Sequence, residues 1–390
     1  MQRRRKKDDR YSKRFTRSFW RICRSEKKAF LEVKELKDKG IPLVGAYCTY
    51  FPEEVAWAAG ASTVGLCATS DETIPEAEKD LPANLCPLIK SSYGFAKTDK
   101  CPFFYFSDVV VGETTCDGKK KMYELMNDIK PMYIMHLPQT QNDKALRYWK
   151  DEIIDFRAYL EDKLDTKITD QALVEWSKVG NDIRDAQKNL ADTMELDPAP
   201  MSGLDFFHVT YGSQFKMDKT KVADEINAIA QKIRDEYDPS KLEKKPRIIV
   251  TGCPMGGATE KVIKAIEDNG AVVVSFENCS GEKNFDNNIN LETDDINEAI
   301  ARRYLDIGCS VMTPDTNRYD LLGRLIDKYD ADGVIEMDLV ACHPYIVERE
   351  KIKRFVTKEK GIPYMFVETD FSKADIGQLN TRMAAFVEML

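Results

Sequence analysis

The sequence predicts an α/β protein built from two similar domains, each with a parallel four-stranded sheet of flavodoxin- or Rossmann-like type. A helical insert and a basic N-terminal helix complete it. Three observations carry this prediction. From residue 41 short apolar runs alternate with helically periodic ones, the pattern of parallel strands joined by crossover helices. The alternation stops across residues 141–205 and then resumes. The two stretches also echo one another: IPLVGAYC resembles RIIVTGC, DVVVGETTC resembles DGVIEMDLVAC, and MYIMHLPQ resembles PYMFVETD. The expected division is a basic helical arm over 1–40, a first α/β domain over 41–140, a helical insert over 141–205 and a second α/β domain over 206–390. A chain of 390 residues is long enough for two or three separate cores.

Each element has its own signal. IPLVGAY reads as a short buried strand, and PEEVAWAAGA as a helix opened by Pro52 and two acids. STVGLCA is a strand, and LCPLIKSSYGFA a helix with Pro87 near its first turn. SDVVVGETTC is strand then loop, DGKKKMYELMNDI a helix with Asp117 as its expected N-cap, and PMYIMHLPQ a strand ending at Pro138. The insert is charged and helically periodic, as in YWKDEIIDFRAYLEDKL and QALVEWSKVGNDIRDAQKNL; such a segment suits packing beside the sheets and a subunit contact. DPAPMSG then breaks the pattern.

In the second half PRIIVTGCPMGG is strand then turn, and ATEKVIKAIEDNG a helix stopped by Gly270. AVVVSFENCSG is strand then loop. After an acidic stretch, DDINEAIARRYLDIG and NRYDLLGRLIDKYD are helices. DGVIEMDLVACHPY is strand then loop, IVEREKIKRFVTKEKG a helix, IPYMFVETD the last strand and GQLNTRMAAFVEML a closing helix.

Charge is unevenly spread. Residues 1–40 hold 16 Lys and Arg against 6 Asp and Glu, so the remaining 350 residues carry 42 against 60. A solvated, partly frayed helix accounts for the arm. With an acidic body and no aromatic-basic interleaving beyond it, nucleic-acid binding is not expected. No run of roughly eighteen apolar residues is present, so no membrane span is expected. The start MQRRRKKDDRYSKRF has no apolar signal-peptide core, so a cytoplasmic location follows, with cysteines kept as thiols or metal ligands.

Those cysteines hold the chemistry. Of ten, six follow or lie near the C-terminal ends of expected strands: Cys48, Cys86 and Cys116 in the first half, Cys279, Cys309 and Cys342 in the second. No C-x2-C pair exists, which excludes zinc knuckles and ferredoxin-type runs. Open parallel sheets bind ligands at that edge, so thiols on separate loops can meet there around a buried iron–sulfur cluster. Cys23 in the basic helix and Cys67 within a strand read as small core residues, and Cys101 as a loop thiol. Cys253, in TGCPMGG, is either a ligand or part of a turn passing close to one. That glycine turn lacks the lysine and spacing of a Walker A motif, so nucleotide binding is weakly supported. Of three histidines, His136 and His208 read as structural, while His343 beside Cys342 is a proton-donor candidate. No Ser-His-Asp or H-E-x-x-H arrangement stands out, which argues against hydrolase chemistry.

The stretches GAYCTYFPEEVAWAAGA, LCPLIKSSYGFA, ETTCDGKKK, TGCPMGGATEKVIKAIE, ENCSG, DGVIEMDLVACHPYIVE and ETDFSKADIGQLNTRMAAFVEML resemble the 2-hydroxyacyl-CoA dehydratase D-component and benzoyl-CoA reductase superfamily. Within it they are most similar to the double-cubane-cluster reductase branch, from about residue 40 to the C-terminus. In the superfamily three cysteines of a subunit hold one 4Fe–4S cubane; the positions here that look like them are Cys86, Cys116 and Cys342. In the double-cubane branch two cubanes share a sulfide as an 8Fe–9S cluster with six thiolates. The resemblance adds Cys48 and Cys309, plus either Cys279 or Cys253, of which Cys279 is preferred because ENCSG follows a strand as ETTCDG does. The branch often has a second cysteine shortly after Cys309, where this chain has Val311. The resemblance also implies a separate ATP-hydrolysing activator with its own 4Fe–4S cluster as electron donor, a homodimer, and low-potential reduction of small unsaturated molecules such as acetylene. Its alternative is a single-cubane subunit of a dehydratase or aryl-CoA reductase acting on an acyl-CoA. Tyr47, Tyr50, Lys90, His343 and Arg318 are expected to line the cavity as proton donors or anchors.

Overall fold

The computed structural model describes residues 26–253 and 256–390. Most of the expected basic arm lies outside the described residues; its last part forms helix α1, Glu26–Asp38. The first sheet comprises β1 (Leu43–Ala46), β2 (Ser62–Gly65), β3 (Val109–Glu113) and β4 (Met132–Met135). Between these strands lie α2 (Glu53–Ala58), α3 (Ile74–Ala77), α4 (Pro87–Lys97), α5 (Pro102–Phe106) and α6 (Asp117–Asn127). All pairings are parallel, in the order β2-β1-β3-β4. β1 and β3 are buried at every position, as central parallel strands covered on both faces must be.

The connecting region holds α7 (Asp143–Lys163), α8 (Asp170–Asp192), α9 (Gly203–Ser213) and α10 (Val222–Glu236). Asn142, Thr169 and Ser202 cap the first three through their side chains, each accepting from a backbone N–H three residues on. The expected insert, 141–205, thus contains α7 and α8 whole. α9 packs against the second sheet's β6 and α11, whereas α10 packs on α8.

The second sheet repeats the first. It contains β5 (Arg247–Gly252), β6 (Val272–Glu277), β7 (Gly333–Leu339) and β8 (Tyr364–Thr369), all parallel, in the order β6-β5-β7-β8. Its helices are α11 (Gly256–Asp268), α12 (Glu282–Phe285), α13 (Ile296–Leu305), α14 (Thr316–Lys328), α15 (His343–Arg354) and α16 (Ile376–Val387). The strand–helix order expected from the sequence is therefore observed in both halves, with boundary shifts. α15 begins three residues before its expected start, and Cys116, not Asp117, occupies the N-cap of α6.

Reversal of strand order between β1 and β3, and again between β5 and β7, leaves a crevice at the carboxyl edge of each sheet. Polar contacts tie the halves together beside these edges. Thr49 Oγ1 donates to Asn284 Oδ1 at 2.7 Å, Tyr50 Oη to the Ile307 carbonyl at 2.8 Å, and Tyr304 Oη to Glu54 Oε2 at 2.6 Å. Two backbone positions shape the loops here. Gly252 has φ +109°, and a Cβ there would sit 2.4 Å from the Met337 carbonyl oxygen, so the residue before Cys253 must be glycine. Ala341, just before Cys342, holds φ +57°, a left-handed conformation that costs a non-glycine residue roughly 1–2 kcal/mol.

Candidate active site: a cavity lined by seven thiols

A cavity of about 580 Å³ lies where the two carboxyl edges face one another, and seven cysteines line it: Cys48, Cys86, Cys116, Cys253, Cys279, Cys309 and Cys342. All six sequence-selected cysteines are among them. Cys48 follows β1, Cys253 follows β5 and Cys279 follows β6. Cys86, Cys116 and Cys342 occupy the caps at the N-termini of α4, α6 and α15, where the positive end of each helix favours negative charge on sulfur. Cys309 lies between α13 and α14, and its N–H donates to Asp315 Oδ1 at 3.1 Å.

The thiols fall into two groups. Cys342 is hydrogen-bonded to both Cys86 and Cys253, with Cys116 close by. Across the cavity Cys48, Cys279 and Cys309 are mutual electrostatic neighbours. Contact with Cys342 pushes Cys86 up, and burial adds to this. Contact with Cys253 similarly raises Cys342. Burial is the main cause that raises Cys48, and it lifts Cys279 to about 11. Its bond to Cys342 is the strongest influence on Cys253 and holds it down, but burial together with the nearby Cys86 and Asp338 still raises it. Cys48, Cys86, Cys253, Cys279 and Cys342 are therefore protonated near neutral pH, and a thiophilic, positively charged group would have to displace their protons on binding.

Among the described residues no three His, Cys, Asp or Glu side chains converge closely enough to hold a single metal ion. Thiols spread over two groups around one large chamber suit a polynuclear sulfide cluster better than an isolated cation.

The surroundings are charged and largely paired. Lys119, buried in the cavity wall, donates to the Tyr47 carbonyl at 2.5 Å and lies 3.8 Å from Cys67 Sγ. Burial works against its charge, but Cys67, Tyr123, Cys48 and Cys116 together keep it protonated. On the other side Tyr345 Oη sits 3.6 Å from Cys309 Sγ and accepts from buried Lys283 at 2.8 Å. Lys283 pairs with Glu277 at 3.1 Å. Asp315 and Glu348 add carboxyls to the wall; burial pushes Asp315 up to about 7, with Glu348 reinforcing it.

Of the five polar residues expected to line the cavity, Tyr47 and His343 do, the latter exposed at its mouth. The other three do not. Lys90 turns aside to Glu78 and the Ala83 carbonyl, each at 2.7 Å. Tyr50 is held by the Ile307 carbonyl. Arg318 is fully buried behind the wall, bound to Glu277, Glu336 and Glu348 at 3.0, 3.1 and 2.7 Å. Sequence reasoning missed Lys119 and the Lys283–Tyr345 pair. Lys119 had a readable signal, since it lies three residues past an N-cap cysteine; the pair, assembled from α12 and α15, had none. Cys67, which follows β2 rather than lying within it, donates to the Tyr47 carbonyl at 3.1 Å, and Cys101 accepts from the Phe104 N–H; neither lines the thiol chamber. Cys23 lies outside the described residues.

The chain is thus a doubly repeated parallel α/β protein with a thiol-lined chamber between its halves. Comparison with known proteins is more specific. Residues 48–390 match the family described as 2-hydroxyglutaryl-CoA dehydratase, D-component, and the chain belongs to that family. It is 49% identical over 374 residues to the "Putative dehydratase subunit YjiM" of Escherichia coli K12, covering 95% of this chain and 97% of that one. It is 23% identical over 384 residues to the (R)-phenyllactyl-CoA dehydratase beta subunit of Clostridium sporogenes, covering 97% and 99%. A benzoyl-CoA reductase subunit of Thauera aromatica matches over 173 residues at 26% identity, 42% of this chain and 39% of that one. No helix among the described residues is long and apolar enough to cross a membrane.

Proposed function

We propose that this chain is an iron–sulfur oxidoreductase that holds an 8Fe–9S double-cubane cluster and reduces small unsaturated molecules such as acetylene. The observation that carries this reading is the gathering of seven thiols, in two groups, around one chamber of about 580 Å³. Cys86, Cys116 and Cys342 would hold one cubane and Cys48, Cys279 and Cys309 the other. Cys279 suits the second group because it neighbours Cys48 and Cys309, while Cys253 touches Cys342. Once bound, the cluster would supply low-potential electrons, stored in pairs. The protein's own contribution is to bury the ligand sulfurs, place the charges of Lys119 near Cys48 and of Lys283 near Cys279, and present the Tyr345 hydroxyl to Cys309. Electrons would come from a separate ATP-hydrolysing 4Fe–4S activator, with the chain acting as a homodimer in the cytoplasm.

A second reading is favoured by the name of the 49%-identical relative: a dehydratase subunit with a single 4Fe–4S cubane on Cys86, Cys116 and Cys342, acting on an acyl-CoA together with a different partner chain. Anaerobic purification followed by iron and acid-labile sulfide analysis separates the two. About eight irons and nine sulfides per chain support the double cubane, and about four of each support the dehydratase. No iron after reconstitution would remove both.

A further inference from the structure

A second, smaller cavity of about 130 Å³ lies behind the thiol chamber, between β2, α8, the start of α10 and α13. The two spaces share a wall, since Tyr47, Cys48, Thr49 and Cys279 line both. Three cations face the smaller one: Arg184, Arg303 and Lys219, at most 6% exposed. Their partners do not balance them. Glu54 is fully engaged, one oxygen by Arg184 Nη1 at 2.8 Å and the other by Tyr304 Oη. Glu53 lies 3.8 Å from Lys219 and is 39% exposed. Arg303 has no carboxylate within ion-pair distance among the described residues; it donates only to the carbonyls of Asn284 and Asn287. Its Nη1 is buried without a hydrogen-bond partner, and so is Arg184 Nε.

Three positive charges face two carboxylates, so one buried guanidinium, that of Arg303, has only the Tyr304 ring at 4.3 Å and backbone carbonyls to offset its charge, and two guanidinium N–H groups stay unused. Buried charges are ordinarily paired, and a guanidinium with free donors selects an acceptor with two or more oxygens. At the liquid-water share of about 30 Å³ per molecule, the space takes a ligand of roughly four heavy atoms. We propose that this side cavity binds a small oxoanion or carboxylate, of the size of formate, nitrate or bicarbonate, held by Arg303 and Arg184 against the Cys48–Cys279 wall. The site does not depend on which cluster the main chamber holds.

The test uses the full-length protein purified without oxygen in chloride-free buffer, titrated calorimetrically with formate, nitrate and bicarbonate. Two variants accompany it. Arg303→Gln removes the unpaired cation. Gly65→Val adds bulk at the cavity's β2 edge, where Gly65 is exposed and a Cβ meets nothing within 4 Å, so the larger side chain narrows the opening without a clash. Saturable binding of at least one anion, one per chain, weakened by about tenfold or more in both variants, is the expected result. Failure of all three anions to saturate the wild-type protein would overturn the proposal, as would binding that survives in either folded variant. If Arg303→Gln does not fold, Gly65→Val decides alone. Iron content, measured on the same samples, reports on the cluster independently.

Discussion

Glu113 ends β3 beneath the thiol chamber, fully buried, with neither carboxyl oxygen hydrogen-bonded. Burial pushes its pKa from 4.5 up to about 8, and the charge of Lys119 offsets this only in part. The folded state therefore keeps a proton that the unfolded chain releases. Below pH about 4.5 both states are protonated and Glu113 has no effect. Between there and pH about 8 stability falls as pH rises, by roughly 1.4 kcal/mol per unit, and above pH about 8 the penalty levels off. From the 3.5-unit separation the full penalty is about 5 kcal/mol, of which about 3 is present at pH 7. Glu113→Gln removes the ionisation and keeps the shape. Relative to the parent, the variant should gain about 3–4 kcal/mol of stability between pH 5 and pH 8, read from urea unfolding at pH steps under anaerobic conditions. Infrared difference titration of the protonated carboxyl stretch, present in the parent at pH 7 and absent in the variant, gives a direct check. Parallel pH profiles for the two proteins would refute the reasoning. They would mean that Glu113 ionises normally, through a closer contact with Lys119 or through water.

Three further outcomes follow from the site. Cys279→Ser should lower iron content by about half under the double-cubane reading, while Cys253→Ser keeps it; the reverse pattern would move the sixth ligand to Cys253. Tyr345→Phe removes the hydroxyl between Lys283 and Cys309, so iron content should hold while the midpoint potential falls; an unchanged potential would show that the hydroxyl does not act on that sulfur. Arg318→Met removes the cation shared by Glu277, Glu336 and Glu348, leaving Glu336 and Glu348 with only tyrosine hydroxyls, and should destabilise the protein by about 3–5 kcal/mol. A soluble Arg318→Met protein of normal stability that lost only turnover would restore Arg318 to a direct role at the site.

Much of this architecture was legible because the cues are local. Apolar runs such as the one through Val109–Val111 read as central strands because both faces are covered, and parallel strands put every following loop on one edge. Thiols placed by such loops could be assigned to one chamber without knowing any distance. Side-chain direction was not legible. Lys90 lies four residues after Cys86, but Cys86 caps α4 while Lys90 runs along its flank toward Glu78. Arg318 has three acidic partners drawn from β6, β7 and α15, a convergence no sequence window contains. The choice between Cys253 and Cys279 also turns on lateral distances, because both simply follow strands.

The repeated sheet order gives those lateral distances a logic. Corresponding loops carry corresponding cysteines: Cys48 and Cys253 after the first strands, Cys67 and Cys279 after the second, Cys116 and Cys342 after the third, with Cys86 and Cys309 ahead of the helices that precede the third. Two equivalent halves would offer four thiols each. Seven reach the chamber, and the exception is Cys67, drawn back onto the Tyr47 carbonyl within reach of Lys119. The symmetry breaks at that point for an electrostatic reason. In the first half a lysine on α6 occupies the inner side of the strand-two loop. In the second half the corresponding loop leads into α12, whose Lys283 is bound by Glu277 and Tyr345 rather than by the loop carbonyls, and Cys279 faces the chamber. Each half thus supplies one buried ammonium beside the thiols. Only the second ties its ammonium to an acid and a tyrosine, which sets Cys279 and not Cys67 beside Cys48 and Cys309.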